Sequence, residues 1–333
     1  MRLHAEATYR TNMIKEIYSQ QRCFQVVSIV VTYNRNVQLL KCLNLLLNQT
    51  YETDILIIDN ASNDGTEQII KRQGFFNNRK IHYICLKENT GGSGGFYYGL
   101  KFSLGKGWNY FWLMDDDAEP RFDALEKIFK QNIKIDNYVL GSTALNYING
   151  EKKLCFPLKR ISNSKTEIIE NYDSLLNREF VAWLPFLGFF LNKKIALKVG
   201  FPDKNFFIRN DDIEYAERLK RNSIKIYLIK DSIIEHPFQP TISFNIFNRR
   251  LFYRSMPAWK MYYEVRNKII ISKRYYNSLQ TIRTLAGVSL QVLYSIFSET
   301  SKKAYLKAYL SGIIDGIRFS TPPPHKTNGS SAA

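Results

Sequence analysis

VVSIVVTYN, Val26 to Asn34, is followed at once by a helical pattern in which Leu39, Leu40, Leu43, Leu46 and Leu47 share one face. That unit, an apolar strand and then an amphipathic helix, recurs downstream. DILIID (Asp54 to Asp59) ends at NASNDGT, where Ser62 or Asp64 is placed to cap a helix running through Gln73. IHYICL (Ile81 to Leu86) leads into ENTGGSGGFYYGL, and YFWLM (Tyr110 to Met114) ends in three aspartates. Strands that are apolar throughout and alternate with helices imply an α/β fold, with a mostly parallel sheet covered on both faces. Ligands gather at the carboxyl ends of such strands, and every polar cluster just quoted falls at one.

From Val139 the alternation weakens. VLGSTALNY reads as a further strand, NGEKK (Asn149 to Lys153) as a hairpin turn, and a stretch of mixed polarity runs to Glu179. FVAWLPFLGFFLNKK (Phe180 to Lys194) leads into a helix from Lys194 to Val199, and RNDDIEYAERLKR opens another. Beyond Pro240 the pattern changes to basic, aromatic-rich helices: around Pro257 to Tyr276, Leu279 to Phe297, and Lys302 to Ile317. The chain thus divides into an N-terminal extension (1–25), an α/β domain (26–240), a helical C-terminal region (241–320) and a tail (321–333). TPPPHKTNGSSAA in that tail is rich in Pro, Ser and Gly and is expected to be disordered.

The 333 residues carry 47 Lys+Arg against 30 Asp+Glu, a formal +17, while 45% hydrophobic content excludes a globally disordered chain. Between Arg218 and Arg318 there are 18 basic and 5 acidic residues, so +13 of the +17 lies in the last third. Either a solvated basic surface or a polyanionic partner explains that asymmetry. No recognised nucleic-acid motif accompanies it, so nucleic acid is not expected as a partner. Cys23, Cys42, Cys85 and Cys155 form no C-x-x-C pair, which suits a reducing cytosol. Neither a secretory signal nor an uncharged apolar run of spanning length is found.

Asp115-Asp116-Asp117 directly follows an apolar strand. Three adjacent carboxylates repel one another unless a cation neutralises them, and Mg²⁺ or Mn²⁺ would do so while sharing coordination with phosphates. Asp211-Asp212-Ile213-Glu214 opens a helix; these acids either cap it or supply a general base for a hydroxyl. His236, in IIEHPF after a strand-like run, is one of four histidines and serves either as a structural side chain or as a ligand. Asn89-Thr-Gly-Gly-Ser-Gly-Gly-Phe96 places four glycines between a strand and a helix, allowing close approach of backbone to a ligand.

Together, VVTYNR, IIDNASNDGT, the acidic triplet and NDDIEYAERL resemble family 2 of the glycosyltransferases, over about residues 26 to 240 and in the family's order. The resemblance implies the GT-A fold, Rossmann-like with a mostly parallel central sheet, here followed by a C-terminal helical region. It also implies inversion at the transferred sugar and a divalent metal cofactor, Mn²⁺ or Mg²⁺. NTGGSGGFYYG with DDD is similar to bacterial galactofuranosyltransferases, whereas rhamnosyltransferases of the family more often show D-Q-D and N-x-G; PAWKMYYEVRN (Pro257 to Asn267) is common to both. Carried over by position, Thr32, Tyr33, Arg35 and Asp59 face the base and ribose, and Asn89, Gly91 and Gly92 the sugar nucleotide. Asp115 and Asp116 belong to the nucleotide-sugar site, and Asp115, Asp117 and His236 to the metal. Asp212 matches the catalytic base and Asp211 a neighbour placing the acceptor, while Trp183 either faces the acceptor sugar or packs in the core.

The activity so implied is transfer of galactofuranose from UDP-galactofuranose to a hydroxyl of a growing bacterial surface glycan on a lipid-linked acceptor, with rhamnosyl or another hexosyl transfer as the alternative. Thr284 to Ser298, apolar and flanked by Arg283, Lys302 and Lys303, has the composition of an interfacial helix or of an ordinary core helix. The first reading implies a cytoplasmic protein peripheral to the inner face of an anionic membrane.

Overall fold

β1 (Val26–Thr32) is buried at all seven positions, and its alternate side chains serve two cores. Val27, Ile29 and Val31 meet Phe96 and Leu100 on one face, while Val26 and Val30 meet Leu39, Leu43 and Leu46 on the other. The first pair of aromatic and aliphatic residues lies on α3 (Gly91–Leu104) and the leucines on α1 (Asn36–Leu47). Each such side chain fully buried contributes roughly 1.5–3 kcal/mol of transfer free energy. This computed structural model describes residues 25–131, 137–162, 165–237, 242–246, 249–253, 256–298 and 302–320. The extension before residue 25, the expected boundary near residue 240 and the tail from 321 lie outside the described residues.

β2 (Asp54–Asp59), α2 (Thr66–Arg72), β3 (Ile81–Cys85) and β4 (Tyr110–Asp115) complete the first half. β3, β2, β1 and β4 lie side by side and parallel, with Thr32 opposite Asp59, Val31 opposite Asp115 and Asp59 opposite Cys85. This register brings four carboxyl ends to one edge. Then come β5 (Glu119–Pro120), α4 (Ala124–Phe129), β6 (Tyr138–Ile148), β7 (Glu151–Ser162), β8 (Lys165–Asn171), β9 (Arg178–Val181), β10 (Phe189–Asn192) and α5 (Lys193–Val199). α6 (Asp211–Arg221) and β11 (Lys225–Glu235) follow. The sheet continues from β4 as β10-β6-β11-β9-β7-β8; β10 is antiparallel to both neighbours, and β6 and β11 are again parallel. Asn149 and Gly150, both at positive φ, turn the β6–β7 hairpin.

The glycines after β3 do not form the expected loop. Gly91 is the first residue of α3, and Gly94, Gly95 and Gly99 lie within the helix. A Cβ on Gly95 would stand 2.4 Å from Val31 Cγ1, and one on Gly99 2.5 Å from Ile29 Cγ2. Close packing on β1 therefore outweighs the poor helix propensity of glycine. Helix α2 starts after Gly65, at φ +80, and the Asp64 carboxylate accepts the N–H of Thr66, its first residue, at 3.1 Å.

β12 (Ile242–Ile246) and β13 (Arg249–Tyr253) form a separate hairpin, followed by α7 (Ala258–Tyr275), α8 (Ser278–Ser298) and α9 (Lys302–Arg318). Met261, Val265, Ile269, Val288, Tyr305 and Tyr309 make the core of these helices. A second cluster, Phe206 with Ile270, Ile271 and Tyr275, joins α7 to the segment ahead of α6.

Candidate active site

At the edge where the parallel strands end, not every acid faces outward. Asp59 is 1% exposed; its Oδ1 accepts the Ser62 N–H at 2.8 Å and its Oδ2 the Tyr83 hydroxyl at 2.5 Å. Asp116, 3% exposed, accepts the Thr32 hydroxyl at 2.7 Å and faces the Arg35 guanidinium at 3.4 Å. Burial pushes its carboxyl up to about 6 despite those two partners. Asp59, Asp116 and Thr32 thus brace the strand ends from inside, and Tyr33 and Arg35 project from the same edge, Tyr33 being exposed.

Asp115, the last residue of β4, is reached by solvent yet hemmed in by protein on its other sides, as at the floor of a cleft. That enclosure, with Asp117 and Asp116 beside it, pushes its carboxyl well above the ordinary range. Asp117 divides its oxygens: Oδ2 accepts from Arg35 Nη1 at 2.6 Å, and Oδ1 lies 3.3 Å from His236 Nε2. Burial alone would raise its carboxyl, but His236 and Arg35 outweigh burial and hold it below the usual value. His236 shows the converse: burial would lower its pKa, and Asp117 and Asp115 raise it. The histidine follows the last residue of β11, and its backbone N–H is held by Leu145 O at 3.0 Å.

His236 Nδ1 is buried without a hydrogen-bond partner, and Asp117 Oδ1, also buried, has only the 3.3 Å contact with His236 Nε2. Carboxylate oxygens and one imidazole are a donor set that suits Mg²⁺ or Mn²⁺, and a cation would relieve the crowding of Asp115 by Asp116 and Asp117. Among the described residues no three such side chains converge tightly on one point, so an ion here would complete its shell with water or ligand oxygens. Mg²⁺ commonly binds that way, through one or two carboxylates and a phosphate.

Beside this cluster stands the N-terminus of α3. Asn89 Oδ1 accepts the Gly91 N–H at 2.8 Å, while a Cβ on Gly92 would meet open space. Asn60, which sequence reasoning missed, ties β2 to this turn through Gly91 O at 3.1 Å and the Thr90 hydroxyl at 2.9 Å.

Asp211 and Asp212 open α6 and are partly accessible. Burial raises both carboxyls, Asp211 to about 8 with help from Asp212, and Asp212 to about 6. Two such neighbours titrate as a pair. Asp211 also adds to the upward push on Asp115, so the two acidic clusters lie near one another at this cleft. Two further cations reach it. Arg209 is held in the charged form by Glu264, Asp212 and Asp211. Lys260, in the first turn of α7, is pushed down by burial and by Arg35 and Arg209, with Asp115 and Asp117 pulling the other way. Neither carried a motif of its own; the only signal was their place beside the paired aspartates and inside PAWKMYYEVRN. Trp183 packs, partly buried, against the large core cluster.

Chemically, this arrangement offers hard-cation ligands, cationic groups for a polyanion and a raised carboxyl able to take a proton, all at the strand ends of a GT-A fold. Several known proteins are similar to this chain. The dTDP-rhamnosyl transferase RfbF of Shigella flexneri is 24% identical over 300 residues, covering 88% of this chain and 95% of its own length. Galactofuranosyltransferase GlfT1 of Mycobacterium tuberculosis is 26% identical over 226 residues, 64% of this chain and 70% of the relative. Among solved structures, that of GalNAc-T7 with UDP, GalNAc and Mn²⁺ aligns with a TM-score of 0.60 at 10% identity, over 90% of this chain and 57% of that one. S. aureus TarS 1-349 in complex with UDP aligns at 0.51 and 13% identity, over 88% and 80%. These two speak to the fold alone. Residues 28–198, more than half of the chain, match Glycosyl transferase family 2, and the protein belongs to that family.

Proposed function

We propose that this glycosyltransferase moves galactofuranose from UDP-galactofuranose to a hydroxyl of a growing bacterial surface glycan, by one inverting displacement that depends on a divalent metal. The observation that carries the mechanism is the meeting of Asp115, Asp117 and His236 with Asp211 and Asp212 in one cleft. Asp115, Asp117 and His236 would hold Mn²⁺ or Mg²⁺, which when bound supplies charge neutralisation for a diphosphate leaving group. Arg35, Arg209 and Lys260 add fixed positive charge for the same diphosphate. Tyr33, Asn89 and Gly92 face the nucleotide sugar, with Thr32, Asp59 and Asp116 bracing the edge beneath. Asp212, its carboxyl raised toward neutrality, takes the acceptor proton as the hydroxyl attacks, and Asp211 helps place that acceptor. No covalent sugar–enzyme step is required. Mn²⁺ and UDP in the GalNAc-T7 structure, and UDP in the TarS structure, support a metal-assisted nucleotide-sugar donor.

Rhamnose from a dTDP donor is the second reading, favoured by the span of the match to RfbF, nearly its whole length. Nucleotide release from a panel of donors, with Mn²⁺ and with chelator, separates the two. Turnover with dTDP-rhamnose and none with UDP-galactofuranose would overturn the galactofuranose assignment; undiminished turnover in chelator would overturn the metal.

An acceptor on a lipid carrier places the enzyme at the inner face of an anionic membrane. Much of the expected interfacial segment, from residue 293, has no described side chains. The better support is α9: Leu306, Leu310, Ile314 and Ile317 are exposed at helical spacing, beside exposed Lys303, Lys307 and Arg318. No helix among the described residues is long and apolar enough to cross a membrane. Sedimentation with vesicles containing anionic lipid at low salt, lost in Leu310→Ser/Ile314→Ser, is the expected result; a supernatant protein would refute it.

A further inference from the structure

Five residues before Asp212 the backbone adopts a turn rare outside glycine. Phe207 has φ 64 and ψ −66, and the Ile208 N–H returns to Phe206 O at 2.7 Å, closing a three-residue γ-turn. Arg209 and Asn210 follow at φ 71 and 60. Three non-glycine residues of four in the left-handed region persist only where their surroundings over-determine them. No glycine, proline or repeat in the sequence marks the spot.

What determines it is α7. Asn267, fully buried, directs its amide N–H groups at three carbonyls of the turn: Phe206 at 3.0 Å, Ile208 at 3.0 Å and Arg209 at 2.7 Å. Arg266 Nη2 donates to Asn205 O at 2.6 Å and Phe206 O at 3.1 Å. Glu264 accepts from Arg209 Nε at 2.8 Å, and its carbonyl accepts from Asn210 Nδ2 at 3.2 Å. Tyr263 stacks on the Phe207 ring, centroids 4.9 Å apart. Every one of these residues lies in YEVRN, the end of the PAWKMYYEVRN segment. The same turn touches the opposite wall of the cleft, since Phe207 O accepts the Ser93 N–H at 3.1 Å and a Cβ on Gly91 would stand 2.1 Å from that oxygen.

We propose that α7 is a clamp on the Phe206–Asn210 turn, with Asn267 as a positioning residue that aims Asp211 and Asp212 into the cleft and Glu264 as its second point of hold. The inference rests on the reading of Asp212 as base. Asn267 touches no reacting atom; it acts by setting where α6 begins. Misplacement by about 1 Å far from the bond being made can cost on the order of 10²-fold in rate.

The test compares Asn267→Leu, Asn267→Asp and Glu264→Gln with the wild type and with Asp212→Asn, in the full chain with Mn²⁺ and the active donor. In Asn267→Leu the expected result is a fall in kcat of about 10²-fold, with donor KM and calorimetric affinity for UDP–Mn²⁺ within about threefold. Asn267→Asp keeps size and polarity but lacks the N–H donors, and should do no better. If Asn267→Leu does not fold, Glu264→Gln, which removes the charge facing Arg209 and Lys268, should still lower kcat about tenfold, with UDP affinity falling less because Arg209 keeps its own charge. Full activity in a folded Asn267→Leu, recovery in Asn267→Asp, or kcat and UDP affinity falling together overturns the clamp. Activity retained in Asp212→Asn overturns the base assignment instead, and a dead Asp212→Asn beside a normal Asn267→Leu overturns the clamp alone.

Discussion

Arg274 is one place where the loss of a single side chain should cost stability heavily. It lies near the end of α7, 8% exposed, with Nη1 2.9 Å from Asp203 Oδ2 and 3.6 Å from Glu214 Oε1. The two acids would suffer unequally from its loss. Glu214 keeps Arg218, whose Nε and Nη2 reach Oε2 at 3.0 and 2.9 Å, and the Tyr275 hydroxyl at 2.5 Å on Oε1. Among the described residues Asp203 keeps only Asn205, on Oδ1, so in Arg274→Met its Oδ2 becomes a bare carboxylate oxygen on a residue 2% exposed. Removing one partner of a buried pair costs about 3–5 kcal/mol, against a total stability of about 5–15 kcal/mol. At about 2–4 °C per kcal/mol for a large domain, the melting temperature should fall on the order of 10 °C. Asp203→Asn in the same chain removes the uncompensated charge, so the double variant should recover half of the loss or more. Thermal and urea melts of the four proteins measure this cycle. An Arg274→Met melt within about 1 kcal/mol of the wild type, or a double variant no better than the single, would refute the reasoning.

Three other outcomes are expected. The Asp212 carboxyl stands at about 6 in the free chain, so kcat/KM should fall tenfold per pH unit below that point, and an acid limb near 4, the ordinary carboxylate value, would count against Asp212 as base. Asp211 is raised to about 8 in the folded chain, so ionising it opposes folding: Asp211→Asn should raise the melting temperature, little near pH 4 and increasingly as pH rises to 8, and a shift independent of pH would contradict this. Gly95→Ala forces a Cβ to 2.4 Å from Val31 Cγ1, for a loss of about 1–3 kcal/mol in a denaturant melt; an unchanged midpoint would show that α3 is not packed as described.

Much of this fold was legible because uninterrupted apolar strands allow few arrangements. Tyr110 to Met114 is apolar at every position, as suits a strand covered on both faces, and its place in the strand–helix alternation puts the aspartates at a carboxyl end. α7 was legible too, expected at Pro257 to Tyr276 and found at Ala258–Tyr275. The glycines of α3 read as a loop because propensity is local, while the contacts that keep Gly95 and Gly99 helical come from β1, some sixty residues earlier. Carboxylate direction was not legible either: Asp115, Asp116 and Asp117 are consecutive, yet Asp116 turns inward to Thr32. The Phe207 turn left no trace, since the residues that impose it lie about sixty positions later.

A part of the charge asymmetry acquires a cause from the same geometry. The cleft gathers Asp115, Asp117, Asp211 and Asp212, and four carboxylates facing a diphosphate would repel it. Arg35 comes from the N-terminal half, but Arg209 is held by Glu264, and Lys260 is itself part of α7. The C-terminal helices therefore contribute to the site in two ways, bringing positive charge to the cleft wall and fixing the turn that precedes α6. Charge on α9 has a different address, since Lys303 and Lys307 are exposed on the outer face while Tyr305 and Tyr309 turn to the helical core. A truncation before residue 258 would thus remove Lys260, release Arg209 and free the Phe207 turn together. Its effect on catalysis should exceed that of neutralising every lysine on α9, which touches none of the three.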